Sequence, residues 1–569
     1  MILVPGRTCW SIAEVESSGL LVDGAAYFRE FVRAARRARK YIVAAGWQFD
    51  STVELLRGHE RDGDTRLLPF LDRLCRENPD LHVYLLCWNY SPGYMLQREW
   101  LQEIVFNRPR HRRIQFRFDD RHAMGASHHQ KFVVIDGRVA FAGSMDLCHD
   151  RWDDRRHRAV NVERAEPGKH DYGPYHEVQG YLTGPAVADL TELFCARWRS
   201  SGGEELRLPP VVEGPSPDVR PSVALPADRV GFSRTMARTL IPDQPTIREI
   251  RQLYIDAIDG AREMVYIESQ YFGAYAVYHA LLRRMADASR PRLDVALVYP
   301  KELHTFTEEF SMGVLQSAMF RKLAEAARRG GHSLGVYYSM SRGAEGAEEK
   351  EAPRYIHSKM LIVDDRFLSV GSANTNNRSM GLDTELNVSW EAHAEDGRLV
   401  QAIRRARVNL LMEHVGEGGL EARRGLRRGR GLVAYLEGRA ADPRSCLRHH
   451  PLSCRMKESP VLKLLDLDNV TFDPDRPFVE EDLFEPFWPS GVRVLKSGVP
   501  VLRRRLHRGF RRRDTTIEIV NPPLAVARPP DPIGLLLARA SQRFGVTVFL
   551  LLMAFLFGYL VISVIRTVT

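Results

Sequence analysis

The sequence predicts an α/β protein of two duplicated lobes with mixed sheets, followed by a C-terminal transmembrane helix. Three observations support this prediction. One short motif occurs twice, 228 positions apart. Helix-like and strand-like apolar patterns alternate through the first 415 or so residues, which indicates helices layered on a mostly buried sheet. Residues 546–565 contain no charged side chain, as expected of a membrane span.

The two halves of the chain begin alike. An apolar pattern at helical spacing from Tyr27 to Ala38 precedes the strand-like stretch Tyr41–Ala45. Its counterpart runs from Ile250 to Ala261 and precedes Met264–Ile267. A second buried strand is predicted in each half, at 82–87 and at 293–298.

These repeats divide the chain into five predicted segments. The stretch 208–226 is rich in proline and poor in apolar runs, which is typical of a linker. The segments are a first lobe at 1–207, a linker at 208–228, a second lobe at 229–415, a basic juxtamembrane region of unassigned fold at 416–530, and the transmembrane helix at 546–565.

The repeated motif is H-x-K-x4-D-x6-G-S-x-[DN], with an apolar run between lysine and aspartate. Strand residues two apart project to the same face, so each histidine is expected beside its lysine. One neutral imidazole can attack phosphorus, and a second, protonated one can protonate the leaving alkoxide. The lysines supply positive charge where the phosphoryl group becomes more negative. The predicted catalytic residues are His129, Lys131, Asp136, His357, Lys359 and Asp364.

The end of the motif predicts groups beside the phosphate. Glycine and serine let the backbone and a short hydroxyl come close, and the last position offers a polar side chain. The residues concerned are Ser144, Asp146, Ser372 and Asn374. A lone histidine in an apolar strand is more often a satisfied core residue, but two sets in matched register argue against that reading. His128 is the other candidate for the histidine of the first motif, but only His129 has the motif spacing to Lys131 and Asp136.

The two motifs resemble the signature of the phospholipase D superfamily. Val265–Phe272 is similar to the I-Y-I-E-N-Q-Y-F segment of phospholipases D that act on phosphatidylcholine. The resemblance covers about 22–414, including stretches after both motifs. This chain departs from the family pattern at Asp146, where asparagine is frequent, and at Tyr175-His176-Glu177, where W-H-D is common.

The resemblance implies a monomeric active unit with the site in the cleft between two α-β-α lobes. It also implies a phosphohistidine intermediate, with His129 favoured as the nucleophile, and a carboxylate behind each catalytic histidine. Glu385 and Glu177 occupy the matching positions. A carboxylate on the far imidazole nitrogen fixes the tautomer and steadies the imidazolium.

The expected function is hydrolysis of phospholipid headgroup esters to phosphatidic acid. Phosphatidyl transfer of the cardiolipin synthase type uses the same residues, but Arg151-Trp152-Asp153 replaces the N-E-Y-like segment usual there. A superfamily nuclease would need no anchor, and a non-catalytic membrane scaffold would not need two intact motifs. No cofactor or catalytic metal is expected, because lysines and histidines supply the positive charge that metal ions give other phosphodiesterases.

Composition and charge favour a reducing compartment and a lipid partner. The 569 residues include seven scattered cysteines, which give no disulfide framework. A net charge of +9 suits an anionic membrane surface. Nucleic acid would attract the same charges, but a membrane anchor favours phospholipid instead.

One group has the residue types of a zinc site at a spacing that fits no standard pattern: Cys446, His449, His450 and Cys454.

The residues around 546–565 predict a single-pass C-terminal anchor. Twenty helical residues at 1.5 Å each span about 30 Å, enough for a bilayer core. Arginines cluster before this segment, at 503–505, 508, 511–513, 539 and 543, and Arg566 alone follows it. The positive-inside bias therefore predicts that the catalytic lobes are cytoplasmic. No apolar stretch near Met1 resembles a signal peptide.

Overall fold

Two large mixed sheets, whose strand orders correspond over most of their width, form the framework of the described residues. The computed structural model describes residues 1–451 and 473–476, apart from 90–98, 100, 109–111, 124, 166–171, 215–217, 241–242, 304–312, 344–350 and 394–395. No helix among these residues is long and apolar enough to cross a membrane. The span predicted at 546–565 lies outside them.

The strands and helices alternate along the chain as the sequence predicts. The strands are β1 (Ser11–Glu14), β2 (Ser17–Val22), β3 (Tyr41–Gly46), β4 (His82–Trp88), β5 (Ile114–Asp119), β6 (Phe132–Ile135), β7 (Val139–Gly143), β8 (Tyr175–His176), β9 (Val178–Thr183), β10 (Val223–Ala224), β11 (Arg229–Met236), β12 (Thr239–Leu240), β13 (Asp243–Gln244), β14 (Ile247–Arg248), β15 (Met264–Glu268), β16 (Asp294–Val298), β17 (Ser333–Ser341), β18 (Ala352–Pro353), β19 (Tyr355–Ile356), β20 (Met360–Val363), β21 (Phe367–Gly371), β22 (Glu385–Glu391) and β23 (Leu447–His449).

The helices are α1 (Gly24–Ala35), α2 (Leu67–Glu77), α3 (Gln102–Phe106), α4 (Ala186–Ser200), α5 (Glu249–Gly260), α6 (Tyr275–Ala286), α7 (Val314–Gly330), α8 (Asn377–Gly381), α9 (Gly397–Val415), α10 (Leu420–Leu426) and α11 (Leu432–Ala441). A 3₁₀ turn lies at Gly58–Glu60. The predicted helices and strands at the start of each half are confirmed to within a few residues, as α1, β3, α5 and β15.

Each lobe contains a sheet in which parallel strands continue into an antiparallel part. The first sheet has the order β10-β2-β9-β7-β6-β3-β4-β5, and its parallel strands are β3, β4 and β5. The main path of the second is β1-β11-β22-β21-β20-β15-β16-β17-β18, and its parallel strands are β15, β16 and β17. From β2 to β5 and from β11 to β17 the two orders correspond strand by strand. The predicted duplication of a mixed α/β lobe is confirmed.

One outer strand of each sheet comes from outside its own lobe sequence. β1 lies at the start of the predicted first lobe but pairs with β11 of the second sheet, with Ser11 opposite Phe232. β10 lies in the predicted linker and pairs with β2 of the first sheet, with Val223 opposite Leu20. The first lobe therefore excludes β1, although that strand falls within the predicted range 1–207. It also includes β10, which falls within the predicted linker at 208–228.

Apolar clusters on both faces hold the sheets in place. Alternate strand residues pack against α1 and α2 in the first lobe and against α5, α6 and α7 in the second. The opposite faces of both sheets share a single cluster with α4 and α9. Within it, the buried Trp390 donates its indole N–H to the Ser18 hydroxyl across the lobes at 2.9 Å. The two lobes are thus joined by a continuous core, which fixes the position of the site between them.

Residues beyond the predicted second lobe complete it. β23 pairs with β17, and Leu426, Leu432 and Leu436 are buried in the shared cluster. The lobe boundary predicted at 415 therefore falls too early, because short helices bury leucines that the surrounding glycine and arginine obscured. Further along, the Asp473 carboxylate accepts the backbone N–H groups of Asn377 at 2.6 Å and Arg378 at 2.9 Å.

Candidate active site

Two short strand pairings bring the halves of the site together. β8 runs parallel to β19, and the His357 N–H donates to the carbonyl of His176 at 3.0 Å. His128 and Thr384 likewise form a short parallel β-bridge, and the His129 N–H donates to the Thr384 carbonyl at 2.8 Å. A glutamate follows His176 and Thr384 in the sequence. Each pairing therefore sets a motif histidine beside a glutamate of the opposite lobe.

The histidine–glutamate pairs cross between the lobes. His129 Nδ1 lies 3.1 and 3.0 Å from the two carboxylate oxygens of Glu385. His357 Nδ1 lies 2.5 Å from Glu177 Oε1. A carboxylate on Nδ1 favours the tautomer that carries the proton there and leaves the lone pair on Nε2. Both motif histidines are thus prepared to react through Nε2, and neither lobe alone supplies a complete pair.

The two motif lysines are buried beside these histidines. Lys131 Nζ donates to the His129 carbonyl at 3.1 Å, and Lys359 Nζ donates to the His357 carbonyl at 2.5 Å. Burial, together with the charges of Lys131 and Lys359, holds the pKa of His129 well below its usual value. Burial and nearby cations, including the same two lysines and Arg151, do likewise for the pKa of His357. The histidines and lysines therefore share one electrostatic environment, in which burial and positive charge disfavour protonation of both imidazoles.

Burial also moves the ionisable partners toward neutrality. It raises the pKa of Glu385 to about 7, against the opposing effect of hydrogen bonds from Ser372 and Ser379. It raises the pKa of Glu177 as well. In the opposite direction, burial lowers the pKa of Lys359 to about 7. Glu385 and Lys359 therefore change charge near neutral pH, which is where a general acid–base site works best.

The motif serines hold the glutamates, although the sequence predicts them beside the phosphate. The Ser144 hydroxyl donates to Glu177, and the Ser372 hydroxyl donates to Glu385. Ser379 adds a second hydroxyl to Glu385, at 2.6 Å from Oε1. Gly143 and Gly371 precede these serines, and a Cβ on either would collide with the residue two positions after the glutamate, Gln179 or Asn387. This part of the motif therefore positions the carboxylates behind the histidines.

The motif aspartates lie at the other end of their strands, although the sequence predicts them as catalytic. The Asp136 carboxylate accepts the backbone N–H groups of Arg39 at 2.7 Å, Lys40 at 2.8 Å and Tyr41 at 2.9 Å. Asp364 does the same for residues 262–264, at 2.7–2.8 Å. Both have positive φ angles, 56° and 54°, in the tight turns between hairpin strands. Their catalytic assignment is corrected to a positioning role, since each ties its hairpin to the start of the neighbouring strand.

The last motif position makes the two halves unlike. Asp146 Oδ2 lies 3.4 Å from Lys131 Nζ, and Oδ1 accepts the Trp47 N–H at 2.8 Å. The matching Asn374 places a buried amide oxygen that has no hydrogen-bond partner among the described residues. Lys359 is 3.5 Å from Gln270 Oε1 in place of a carboxylate. The pocket therefore carries more negative charge on the Lys131 side.

Two further residues, Arg151 and Gln270, contribute to the site although the sequence alone did not single them out. Arg151 lies with its guanidinium 5.0 Å from the centre of the Tyr175 ring, and its charge helps to lower the pKa of His357. Gln270 donates to the Tyr355 hydroxyl at 2.7 Å, and the Tyr355 and His357 rings stack with centroids 6.3 Å apart. Both residues lie in segments that resemble the phospholipase D superfamily, Arg151 after the first motif and Gln270 within Val265–Phe272, and this resemblance could have indicated them.

The predicted zinc alternative is not assembled by the residues described. His449 lies 3.6 Å from Glu437, and His450 donates to the Pro300 carbonyl at 3.1 Å. Cys446 packs against Gly416, and Cys454 lies outside the described residues. The three described side chains therefore have separate surroundings.

The crossed histidine–glutamate pairs and buried lysines define a two-lobed, histidine-based site for phosphoryl chemistry. Comparison with known families agrees with this class. The family model described as "Phospholipase D" matches residues 34–215, and "Cardiolipin synthase, PLD-like domain" matches residues 254–406. The chain carries two domains of the phospholipase D superfamily.

Curated relatives include plant phospholipases D. Phospholipase D alpha 1 of Zea mays is 24% identical over 491 residues, covering 63% of this chain and 60% of that protein. Phospholipase D alpha 1 of Ricinus communis is 23% identical over 521 residues, covering 67% and 63%. The chain thus spans about 60% of the length of the curated relatives it matches.

Solved structures give weaker matches. Phosphatidylserine synthase from Haemophilus influenzae Rd KW20 has 14% identity and a TM-score of 0.46, covering 71% of this chain and 88% of that one. Nuc, a phospholipase D family member from Salmonella typhimurium, has 18% identity and a TM-score of 0.20, covering 31% and 90%.

Proposed function

We propose that this protein hydrolyses phospholipid headgroup esters to phosphatidic acid through a phosphohistidine intermediate. The observation that carries the proposal is the pair of histidines, each backed by a glutamate of the opposite lobe and flanked by a buried lysine. The similarity to plant phospholipases D supports phospholipid as the substrate class. A nuclease or a scaffold has no comparable support.

The proposed reaction has two steps. His357 enters this step protonated, because the bound anionic phosphodiester favours the imidazolium form. His129 Nε2 attacks phosphorus, forming an N–P bond, while the headgroup oxygen leaves and takes the proton from His357 Nε2. Lys131 and Lys359 stabilise the negative charge on the phosphoryl oxygens. His357 then removes a proton from water, which attacks phosphorus, breaks the N–P bond and releases phosphatidic acid. Glu385 and Glu177 steady the positive charge on each imidazole in turn.

Mass analysis of lipid products tests this proposal. The protein is incubated with liposomes of defined phosphatidylcholine, with and without ethanol. Hydrolysis should give phosphatidic acid, and added ethanol should convert part of the product to phosphatidylethanol, because water and ethanol attack the same phosphohistidine intermediate. His129→Asn should give neither product. Phosphatidic acid formed without any trapped phosphohistidine at position 129 would contradict the assignment of the nucleophile.

Phosphatidyl transfer to a lipid alcohol is the second candidate. It is favoured by the match of residues 254–406 to a family model named for cardiolipin synthase. Liposomes containing phosphatidylglycerol distinguish the two functions. If the products are mainly cardiolipin with little phosphatidic acid, the protein is a phosphatidyltransferase and the hydrolase proposal is wrong.

A C-terminal membrane anchor with cytoplasmic lobes is part of the proposal. The uncharged stretch 546–565 and the arginines that precede it support both the anchor and its orientation. An anionic membrane surface would attract the same arginines. Protease added outside intact cells should leave the catalytic lobes whole, and their cleavage would overturn the orientation.

A further inference from the structure

A closed group of imidazoles and carboxylates lies beside the second catalytic histidine and takes no part in the reaction above. Asp23 precedes α1, His157 follows the first motif, His176 is in β8 and Glu413 is near the end of α9. The first three are fully buried and Glu413 is 8% exposed. Four distant parts of the chain therefore place ligand-type side chains at one interior point.

Ligand atoms of these four residues all lie within 4.8 Å of one another. Glu413 Oε1 lies 2.8 Å from both His157 Nε2 and His176 Nδ1. Asp23 lies 3.1 Å from His176 Nδ1 through Oδ1 and 3.4 Å from His157 Nε2 through Oδ2. Zinc bonds of about 2.0–2.2 Å in a tetrahedron put neighbouring ligand atoms about 3.3–3.6 Å apart. The Asp23 spacings are within a few tenths of an ångström of that geometry, and the two Glu413 spacings would have to widen by about 0.5 Å or more.

Hydrogen bonds account for part of this arrangement, since His157 Nε2 contacts Glu413 Oε1 at 2.8 Å and His176 Nδ1 contacts Asp23 Oδ1 at 3.1 Å. An N–H group points at one acceptor, but here each imidazole nitrogen faces oxygens of two carboxylates, and one oxygen of Glu413 faces both nitrogens. Asp23 Oδ2 is buried without a hydrogen-bond partner among the described residues. Buried polar atoms of this kind ordinarily have a partner, which here points to a ligand at the centre.

The outer contacts fit neutral imidazoles that bind a metal. His157 donates through Nδ1 to Asp153 Oδ2 at 2.8 Å, and His176 donates through Nε2 to Glu268 Oε2 at 3.0 Å. A carboxylate on the far nitrogen is the usual support of a metal-bound histidine, because it fixes the tautomer that leaves the near nitrogen unprotonated.

The charges of the group leave room for a dication. The group and its outer contacts contain four carboxylates, those of Asp23, Asp153, Glu268 and Glu413. Two guanidinium groups neutralise part of this negative charge: Arg155 lies 2.5 Å from Glu413 and Arg164 lies 3.1 Å from Asp153. The remaining two negative charges are balanced either by two protonated imidazoles or by one divalent cation. His414 also faces Glu268, at 3.1 Å. Charge permits both occupants, and the convergence of the four ligand atoms favours the cation.

We propose that Asp23, His157, His176 and Glu413 bind one structural zinc ion. Two nitrogens and two carboxylate oxygens suit zinc better than calcium or magnesium, which prefer oxygen alone. The ion ties the first motif segment to α9 and fixes β8, whose His176 carbonyl receives the His357 N–H at 3.0 Å. It takes no part in the chemistry, and the inference stands independently of the proposed function.

Metal analysis of the full-length protein, purified without chelators, tests the proposal. We expect one zinc per chain by mass spectrometry of the elements, and a large loss in His157→Gln and Asp23→Asn. His279→Gln is the matched control, because His279 is exposed on α6, and it should keep the metal. Zinc retained at full occupancy by both cluster variants would place it elsewhere and overturn the proposal.

A second measurement on the unaltered protein covers the case in which the variants fail to fold. A zinc chelator should lower the Tm, and added zinc should restore it. Cobalt in place of zinc should give the visible absorption of a tetrahedral site. Well under one equivalent of metal, with a Tm that responds to neither chelator nor added zinc, would show that the group is a protonated imidazole–carboxylate network.

Discussion

Replacing Glu385 by glutamine tests whether the crossed carboxylates act in catalysis. The change keeps the side-chain shape but removes the charge that faces His129 Nδ1 at 3.0 Å. At an effective dielectric constant of about 20, unit charges at that distance attract by about 5.5 kcal/mol. This attraction arises when the imidazole becomes positive in the transition state, and it corresponds to about 10⁴-fold in rate. Since an amide oxygen keeps part of the interaction, kcat should fall about 10³–10⁴-fold.

The assay is steady-state hydrolysis of a soluble phosphodiester with a coloured leaving group, with Tm measured in parallel. Glu30→Gln is the matched control, since Glu30 is also a buried glutamate (1% exposed) but lies on α1 beside Arg33. It should leave kcat nearly unchanged. A loss of less than tenfold in Glu385→Gln with an intact fold would refute the view that this carboxylate steadies the imidazolium.

Further outcomes follow from the same geometry. His357→Asn should lose turnover of phospholipid but still form a phosphoenzyme with a good leaving group; failure to form it would show that His357 does more than protonate. Asp136→Ala should destabilise the fold by about 2–4 kcal/mol in urea unfolding with little change in kcat, since its three hydrogen bonds go to backbone; a lost kcat at unchanged stability would return it to the catalytic group. Because the pKa of Lys359 is lowered to about 7, its charge is lost as pH rises through that value, so activity should fall on the alkaline side. Lys359→Arg should flatten that limb of the pH profile, and an unaltered limb would assign it to another group. A chain cut before Ile533 should leave the membrane fraction at high salt yet act on short-chain lipid, which fractionation and product analysis would check.

Sequence patterns predicted what depends on near neighbours. The helix and strand periods gave the order of elements in each lobe, and the motif spacing placed each histidine beside its lysine. The predicted glutamates both lie at histidines. Which glutamate serves which histidine depends on contacts between residues 256 and 180 positions apart, and local periodicity contains no information about that.

The roles of the motif serines and aspartates were misjudged for a related reason. Their spacing from the histidine is the same in both motifs, and this constancy predicted a role at the phosphate or in catalysis. A strand of four residues separates Lys131 from Asp136, and this carries the carboxylate to the far end of the hairpin. There it satisfies backbone groups. Constant spacing in a motif thus reflects the folding of the hairpin as well as its chemistry.

The crossed pairs also determine when during biosynthesis the site can first exist. Glu385 follows His129 by 256 positions. A ribosome that adds about 5–20 residues per second reaches it roughly 13–50 s later. Throughout that interval the nascent first lobe holds its histidine without the carboxylate that completes it. The crossed site is therefore complete only after the second lobe has been made, and any activity that depends on the crossed pairs begins at that point.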